Sequence, residues 1–546
     1  MDKNLIIAVV LSGVVYLGWF KLIEHYYGKP EVPLVAGSAV PGAPAGGSPP
    51  TASAAAGEPG MVAAEFRSPE PEKPARKGGL DGAMAFSASG VDIKIQPLGA
   101  GLVSVAYPGP LGPVELVPDP YPGFLAAWPD LRFSRVGSDA NWPVFEAKLP
   151  NGVLIRKEYI FGDRDGMKTL RLTFTNPSEA PAAVEPWSLA LGPGLGIVDS
   201  EKKENPSLWH SVVLLADTPR PNDYQALDLE KEPAAVPGKV SWAGVSNRYF
   251  LAAAFPPAET FKGATSGAKP VPFETTGWLG GKKMTEVLEP WIRFDAAALT
   301  LPAGGSSTVE VPFYLGPKGY THLKSFERGL ERSVDFGWFD KYLRLGRFTL
   351  RVLHKFHSWT GNWGWAIIML TLCLQAFLLP LSYKQMKSMA GMKKVQPEVQ
   401  KIQQKFAKDP KRLQQEMMEV YKKHGVNPLG GCLPILLQMP IFITLFNTLR
   451  EAWELHGAGW MFWIKDLSAH DPYYVLPLIM GGIMFLQNQM NPQPTADPAQ
   501  AQMMKIMPVM FTFMFLNFPS GLVLYWLTNS VIGFVFQMAM KKRLEA

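Results

Sequence analysis

Apolar residues along this chain change texture three times. Residues 5–20 form a nearly unbroken apolar run between Lys3 and Lys21. With Leu22 and Ile23 the run approaches the roughly 20 residues that span bilayer hydrocarbon. Bulky and charged residues follow it, where a signal peptidase needs small ones. That predicts a retained signal-anchor helix within residues 1–29. Residues 30–80 are dominated by Pro, Ala, Gly and Ser. They carry too few large apolar side chains to offset the entropy of ordering, and read as a flexible linker. From 81 to 330 the period becomes two. Lys168, Leu170, Leu172 and Phe174 alternate with Thr169, Arg171, Thr173 and Thr175, and the turn residues Asp163-Arg-Asp-Gly166 separate them from a strand-like run over 154–161. This predicts a hairpin. Aromatic and β-branched runs over 242–255 and 308–315 extend the pattern to a large all-β sandwich.

After residue 337 the pattern is helical. Tyr342, Leu345, Phe348 and Val352 are spaced for an amphipathic helix, over 337–358, lying in the membrane interface. An ordinary helix packed on the β domain would show the same spacing. Apolar runs at 363–381, 428–449, 473–486, 506–518 and 522–540 are read as five further spans, making six transmembrane helices with the first. Pro434, Pro440, Pro477 and Pro508 interrupt them, which a spanning helix tolerates when neighbours satisfy the freed carbonyls. The five spans and their loops form a unit over 359–543.

Between the second and third spans, residues 384–424 carry eleven Lys or Arg against four acids, whereas 453–472 has one basic residue and three acids. The positive-inside rule therefore puts the 384–424 loop and both termini in the cytoplasm and the β domain in the periplasm. The loop itself is patterned. Val395, Val399, Ile402 and Phe406, then Leu413, Met417, Val420 and Tyr421, follow helical spacing. Asp409-Pro410 between them suits an N-cap with proline at the first helical position, and Gly425 a helix end. This predicts a basic helical hairpin, with Lys393, Lys394, Lys401, Lys405, Lys411 and Arg412 available for contact. Anionic lipid, at about 1 kcal/mol per Lys near the surface, and a ribosome or targeting factor are equally good partners for it.

Composition adds little beyond this. Charged residues are 18% of the chain, below the roughly 25% of soluble domains, and the net charge of +6 does not point to nucleic acid. The two cysteines, Cys373 and Cys432, sit in or beside apolar runs and suit neither a disulfide framework nor a metal site. No cofactor is expected. In the β domain Glu146, Glu158, Asp163 and Asp165 are carboxylates beside turns, and solvated turn formers explain them better than glycoside hydrolysis. No enzyme activity is expected.

Several unusual motifs occur in one order: Gly361-Asn-Trp-Gly364, Asn427-Pro-Leu-Gly-Gly-Cys-Leu-Pro434, Gln438-Met-Pro-Ile-Phe442, Asp466-Leu-Ser468, Asp471-Pro-Tyr-Tyr474 and Phe518-Pro-Ser-Gly-Leu-Val-Leu-Tyr525. Over roughly residues 337–543 they resemble the YidC family of membrane protein insertases. Trp242 and Asn247-Arg-Tyr-Phe250 resemble its Gram-negative branch, whose periplasmic sandwich can largely be lost. The resemblance implies five spans around a hydrophilic groove, open to cytoplasm and lipid and closed towards the periplasm. Polar client segments enter the groove while the client's apolar segment slides along spans three and five. Nascent membrane proteins would be the clients, the Sec translocon a partner, and lipid the surroundings. On that reading Thr371, Gln375, Gln438, Thr528, Asn529 and Ser530 are groove candidates, and Met439, Met480, Met514 and Trp526 are candidates for the apolar slide. Helix–helix ties and ordinary packing are the competing roles. Gln375 stands where the family usually has arginine. Spans two to six otherwise hold only Arg450 and Lys505, both near boundaries, which predicts a polar but uncharged groove.

Two other functions compete. A transporter or channel would favour internal repeats and intramembrane ionisable pairs, and neither is visible. A membrane-tethered carbohydrate-binding protein would make the sandwich the working part, and deleting residues 81–320 should separate it from an insertase.

Overall fold

The computed structural model describes Leu80 and residues 82–545, except 121, 138–141, 199–200, 202–208, 217–222, 230, 277–281, 338–339, 341–343, 407–408, 426–432 and 491–497. The anchor expected over 1–29, the linker up to residue 79, Cys432 and the start of the third expected span lie outside the described residues.

The β domain is built on a nine-stranded antiparallel sheet. Its strands run, edge to edge, Asp223–Leu227, His210–Leu215, Val240–Ser246, Phe250–Ala254, Ser306–Pro317, Lys168–Thr175, Leu154–Ile160, Val144–Lys148 and Ser134–Val136. A four-stranded sheet (Trp187–Leu191, Lys282–Ala296, Phe261–Thr276, Ala234–Ala235) and a second one over Met84–Glu115 share one core with it. The hairpin expected around Asp163–Gly166 is present, with Ile155 opposite Phe174 and Tyr159 opposite Leu170. Lys168, Leu170, Leu172 and Phe174 all point inward. The inward lysine is accommodated because its Nζ donates to Arg164 O and Gly166 O, each at 3.0 Å. Burial pushes it down to about 8.

Glu289, on the Lys282–Ala296 strand, is also buried. Burial first and Asp119 second raise its carboxyl to about 7, with Lys269 opposing. A raised carboxyl favours folding while protonated, so its contribution is intact below the unfolded value of about 4.3 and is lost as pH rises through 7. Glu289→Gln should therefore leave stability unchanged at pH 4 and raise it by about 2–3 kcal/mol at pH 8. Thermal melts of the purified protein at the two pH values check this.

Two strands, His210–Leu215 and Phe250–Ala254, are apolar on both faces rather than alternating. Val213 and Leu215 fill the sandwich, while Val212 and Leu214 face the other way, into a second core. That core also holds Trp242, Leu251, and Leu350, Leu353, Leu445, Leu449 and Leu522 from the helices. The β domain is thus fused to the helical unit by shared hydrophobic packing.

Eight helices are described: α1 Tyr320–Ser325, α2 Leu345–Thr360, α3 Trp363–Lys405, α4 Pro410–Lys423, α5 Leu433–Glu451, α6 Val475–Met490, α7 Pro498–Phe515 and α8 Ser520–Glu545. By length and apolar composition Trp363–Met392 and Ser520–Met540 can cross a membrane, and Val475–Met490 and Lys505–Phe515 are shorter apolar helices. In α2 the buried residues are Gly346, Leu350, Leu353 and Phe356, whereas Phe348 is exposed. Of the expected stripe, Tyr342 lies outside the described residues, and Leu345, Phe348 and Val352 are out of phase with this. The helix starts at Leu345, after Arg344 at φ 52°.

The second expected span and the first arm of the cytoplasmic hairpin are one helix. α3 has 43 residues, roughly 64 Å at 1.5 Å per residue, about twice the hydrocarbon thickness. Pro380 and Pro397 lie inside it. Its last turns pair with α4 through Val395, Val399 and Val420, flanked by Ile402, Met417 and Tyr421. Asp409 caps α4 at Arg412 N (3.1 Å), with Pro410 at the first helical position, as the sequence predicts.

Candidate functional site

The helical unit has a tied end beside the β domain and a basic hairpin at the other. The tied end explains most of the unusual motifs. Asn362 caps α3, accepting from Gly364 N (2.9 Å) and Trp365 N (3.2 Å), while its Nδ2 donates to Trp460 O (3.0 Å). Gly364 lies against the Trp460 ring, where a Cβ would approach to 2.1 Å. Ser520 N and Oγ both donate to Ala469 O, at 2.7 and 2.8 Å, and Gly521 N donates to Leu467 O at 2.8 Å. The Pro519-Ser-Gly turn is thereby pinned to the 453–472 loop.

Asn247-Arg-Tyr-Phe250 joins the two units. Asn247 Oδ1 accepts from Phe250 N at 2.8 Å and closes the turn. Arg248 Nε donates to Arg450 O at 2.8 Å, and its Nη1 pairs with Glu201 at 2.8 Å, both side chains being almost fully buried. Tyr249 and Phe250 pack on Trp453, with ring centroids 5.6 and 5.1 Å away. Lys318 Nζ donates to Asn247 O at 2.6 Å and lies 3.9 Å from Glu451. Burial pushes Lys318 below the usual lysine value, with Glu451 opposing.

Inward from the tied end lies an aromatic layer. Trp526 on α8 meets Phe442 of α5 edge-on at 4.9 Å and packs against Phe511 and Phe515 of α7. Phe446 adjoins Phe442 at 6.4 Å and Phe518 adjoins Phe515 at 5.0 Å. Thr444 and Thr448 are buried on the same stretch of α5.

Beyond the layer, towards the hairpin, polar groups begin. Gln438 Nε2 of α5 donates to Tyr525 OH of α8 at 2.7 Å. One face of α8 continues with Asn529, Gly533 and Gln537 at four-residue spacing, which stacks them along the helix. Asn529 Oδ1 and Gln537 Oε1 are buried acceptors without a donor among the described residues. From α6, Gln487 Nε2 donates to Ser530 O at 2.8 Å and lies against Gly533. An unpaired buried acceptor costs about 1–3 kcal/mol, so this face favours water or another chain's donors. Among the groove candidates, Gln438, Asn529 and Ser530 share this region. Thr371 and Thr528 donate to their own helices, at Ile367 O and Leu524 O (2.8 Å each), leaving no free donor. Gln375 is half-buried on α3, which packs along α8. Tyr525, Gln487 and Gln537 were not among the candidates. Their only signal is polar residues recurring inside apolar runs.

The slide candidates separate. Met439 on α5 and Met514 on α7 are exposed, Trp526 is half-buried in the aromatic layer, and Met480 is fully buried. Beside Met514, Ile506, Val509, Met510 and Phe513 form an exposed apolar stripe on α7. On the hairpin, Lys394, Lys401, Lys405, Lys411 and Arg412 are exposed, and Lys393 lies on the same helix. Lys405 and Arg412 flank the Phe406 ring, at 5.3 and 5.4 Å. Among the described residues no group of His, Cys, Asp or Glu could hold a metal.

Known proteins resemble both the β domain and the helical unit. A family model described as 60Kd inner membrane protein matches residues 355–546, and one described as YidC periplasmic domain matches 132–344. The membrane protein insertase YidC of Endomicrobium trichonymphae is 40% identical over 432 residues, 77% of each chain. That of Stutzerimonas stutzeri is 45% identical over 257 residues, 47% of this chain and 45% of the relative. Among solved structures, an active YidC insertase with its first transmembrane domain resolved is 18% identical. It covers 83% of this chain and 92% of its own, with a TM-score of 0.39.

Proposed function

The chain belongs to the YidC family of membrane protein insertases, and from that premise we propose that client insertion runs along the polar face of α8. It is a bacterial inner-membrane protein with a periplasmic β-sandwich domain. In this reading the chain crosses the membrane six times, with both termini and the α3–α4 hairpin in the cytoplasm. The tied end with its aromatic layer is the closed periplasmic side.

The observation that carries the proposal is the row Tyr525, Asn529, Gly533, Gln537 with Gln438 and Gln487 beside it. A client's polar tail entering from the hairpin end meets these groups instead of hydrocarbon. That shortens the apolar distance it must cross, and each unsatisfied polar group in hydrocarbon costs several kcal/mol. The client's own apolar segment moves past Met439, Met514 and the exposed stripe of α7 into lipid, and its burial supplies the driving force. No catalytic residue or nucleotide takes part. The basic hairpin meets the ribosome, a targeting factor or anionic lipid, and the Sec translocon is the partner for larger clients.

A photo-crosslinking residue at Asn529, and separately at Met514, tests this with a stalled single-span client. Asn529 should capture the polar tail and Met514 the apolar segment. Capture of both segments at Met514 alone would contradict the proposal.

A further inference from the structure

The loop between α5 and α6 is cross-linked by its own hydrogen bonds. Asp466 Oδ1 accepts from Gly457 N (3.1 Å) and Ser468 N (2.8 Å), and Leu467 N donates to Ala458 O (2.9 Å). Trp460 N donates to Ile464 O at 3.0 Å. Asp471, fully buried, accepts from Trp463 Nε1 at 2.9 Å and Leu476 N at 2.7 Å. Out of this frame projects Phe462, 79% exposed and at φ 53°. Tyr473, 68% exposed, and Tyr474, at φ 57°, stand beside it.

A phenylalanine at positive φ opposes the steric preference of the backbone. An exposed ring in water opposes the hydrophobic effect. The frame maintains both at once, so the ring is held outward. Phe462 stacks on Trp463, which meets Tyr473 edge-on.

Exposed aromatics continue sideways around the bundle. Trp365 at the start of α3 meets Trp460 at 6.0 Å, and Trp359 stands at the end of α2. Leu478 and Ile479, in the first turns of α6, are exposed immediately below. Tryptophan and tyrosine at the ends of apolar helices mark the level of lipid headgroups. Lys465, exposed next to Phe462, suits a lipid phosphate. A partner protein would cover one patch; these residues come from three segments and join the apolar faces of the helices. At its other side the same loop carries the β domain, through Trp453 against Tyr249 and Gly457 against Pro110 and Leu111.

We propose that the 458–474 loop is a wedge in the periplasmic leaflet, with the Phe462 ring among lipid acyl chains, and that it sets the height of the β domain above the membrane. This rests on the spans proposed above. The test uses the full chain in phosphatidylcholine–phosphatidylglycerol vesicles, with Cys373→Ala and Cys432→Ala, carrying one nitroxide at a time. Phe377→Cys on α3, 81% exposed, is the hydrocarbon reference, and Asp92→Cys on the sandwich is the water reference. A label at Phe462→Cys should collide several-fold more with oxygen than with a water-soluble nickel chelate, as at Phe377→Cys. Nickel access equal to that at Asp92→Cys would overturn the wedge, and shielding from both reagents would overturn it in favour of a protein contact. Nickel access at Phe377→Cys too would overturn the spans and the wedge with them. Phe462→Gly removes the ring and suits positive φ. It should melt no lower than the parent in detergent, yet raise nickel access at a Lys465→Cys label several-fold. Unchanged access there would also count against the wedge.

Discussion

Arg248→Ala should destabilise the junction between the β domain and the helices by about 3–5 kcal/mol, because it takes the Arg248 charge away from the buried Glu201 carboxylate. Glu201 and Arg248 are 3% and 4% exposed, so water does not screen what remains. The variant also deprives Arg450 O of its donor at the end of α5. Removing both charges together, as Arg248→Met with Glu201→Leu, should cost less than Arg248→Ala alone, since apolar replacements of a buried pair are often near neutral. Melting of the purified proteins, followed by intrinsic fluorescence, reads both. A double variant as unstable as the single one would mean that the pair is not coupled.

The second large effect concerns groove polarity. Gln375→Leu should reduce insertion of short-tailed clients by about 5- to 150-fold, the equivalent of the roughly 1–3 kcal/mol lost when a buried polar group goes unpaired. Gln375→Arg should extend insertion to clients with acidic tails, at the cost of at least about 2.5–3.5 kcal/mol for a mid-membrane arginine. Protease protection of tails of graded charge checks both. Insertion by Gln375→Leu equal to that of the parent would remove Gln375 from the path and leave the α8 face to carry it alone.

How much of this was legible in the sequence follows from how local each signal is. The hairpin at Asp163–Gly166 and the α3–α4 pairing through Val395, Val399 and Val420 were readable, because period and turn chemistry act within a few residues. The continuity of α3 was not. The apolar run stops at residue 381 and the basic loop begins at 384, which read as a span and a separate hairpin arm, yet one helix runs through both. The apolar strands His210–Leu215 and Phe250–Ala254 announce burial on two faces, but not that the second face meets helices. Arg248 and Glu201, 47 positions apart, carry no pattern that pairs them. The unusual motifs were legible as a family signature, while their physical tasks needed geometry: Asn362, Asp466 and Asp471 are caps and turn closures, and Asn247 and Arg248 form the junction.

The shared core also alters one experiment. Deleting residues 81–320 would strip Val212, Leu214, Trp242 and Leu251 from the core that holds Leu445 and Leu449. Such a chain can fail by losing α5 rather than by losing a sugar site, so the deletion no longer separates an insertase from a carbohydrate binder. Point variants on each side of the junction do.

The most direct measurement is reconstitution of the full chain in protein-free liposomes with a small single-span client. Insertion along a polar groove predicts that the client's translocated tail becomes resistant to added protease in these vesicles, with no nucleotide present. Equal protection in empty liposomes would contradict it.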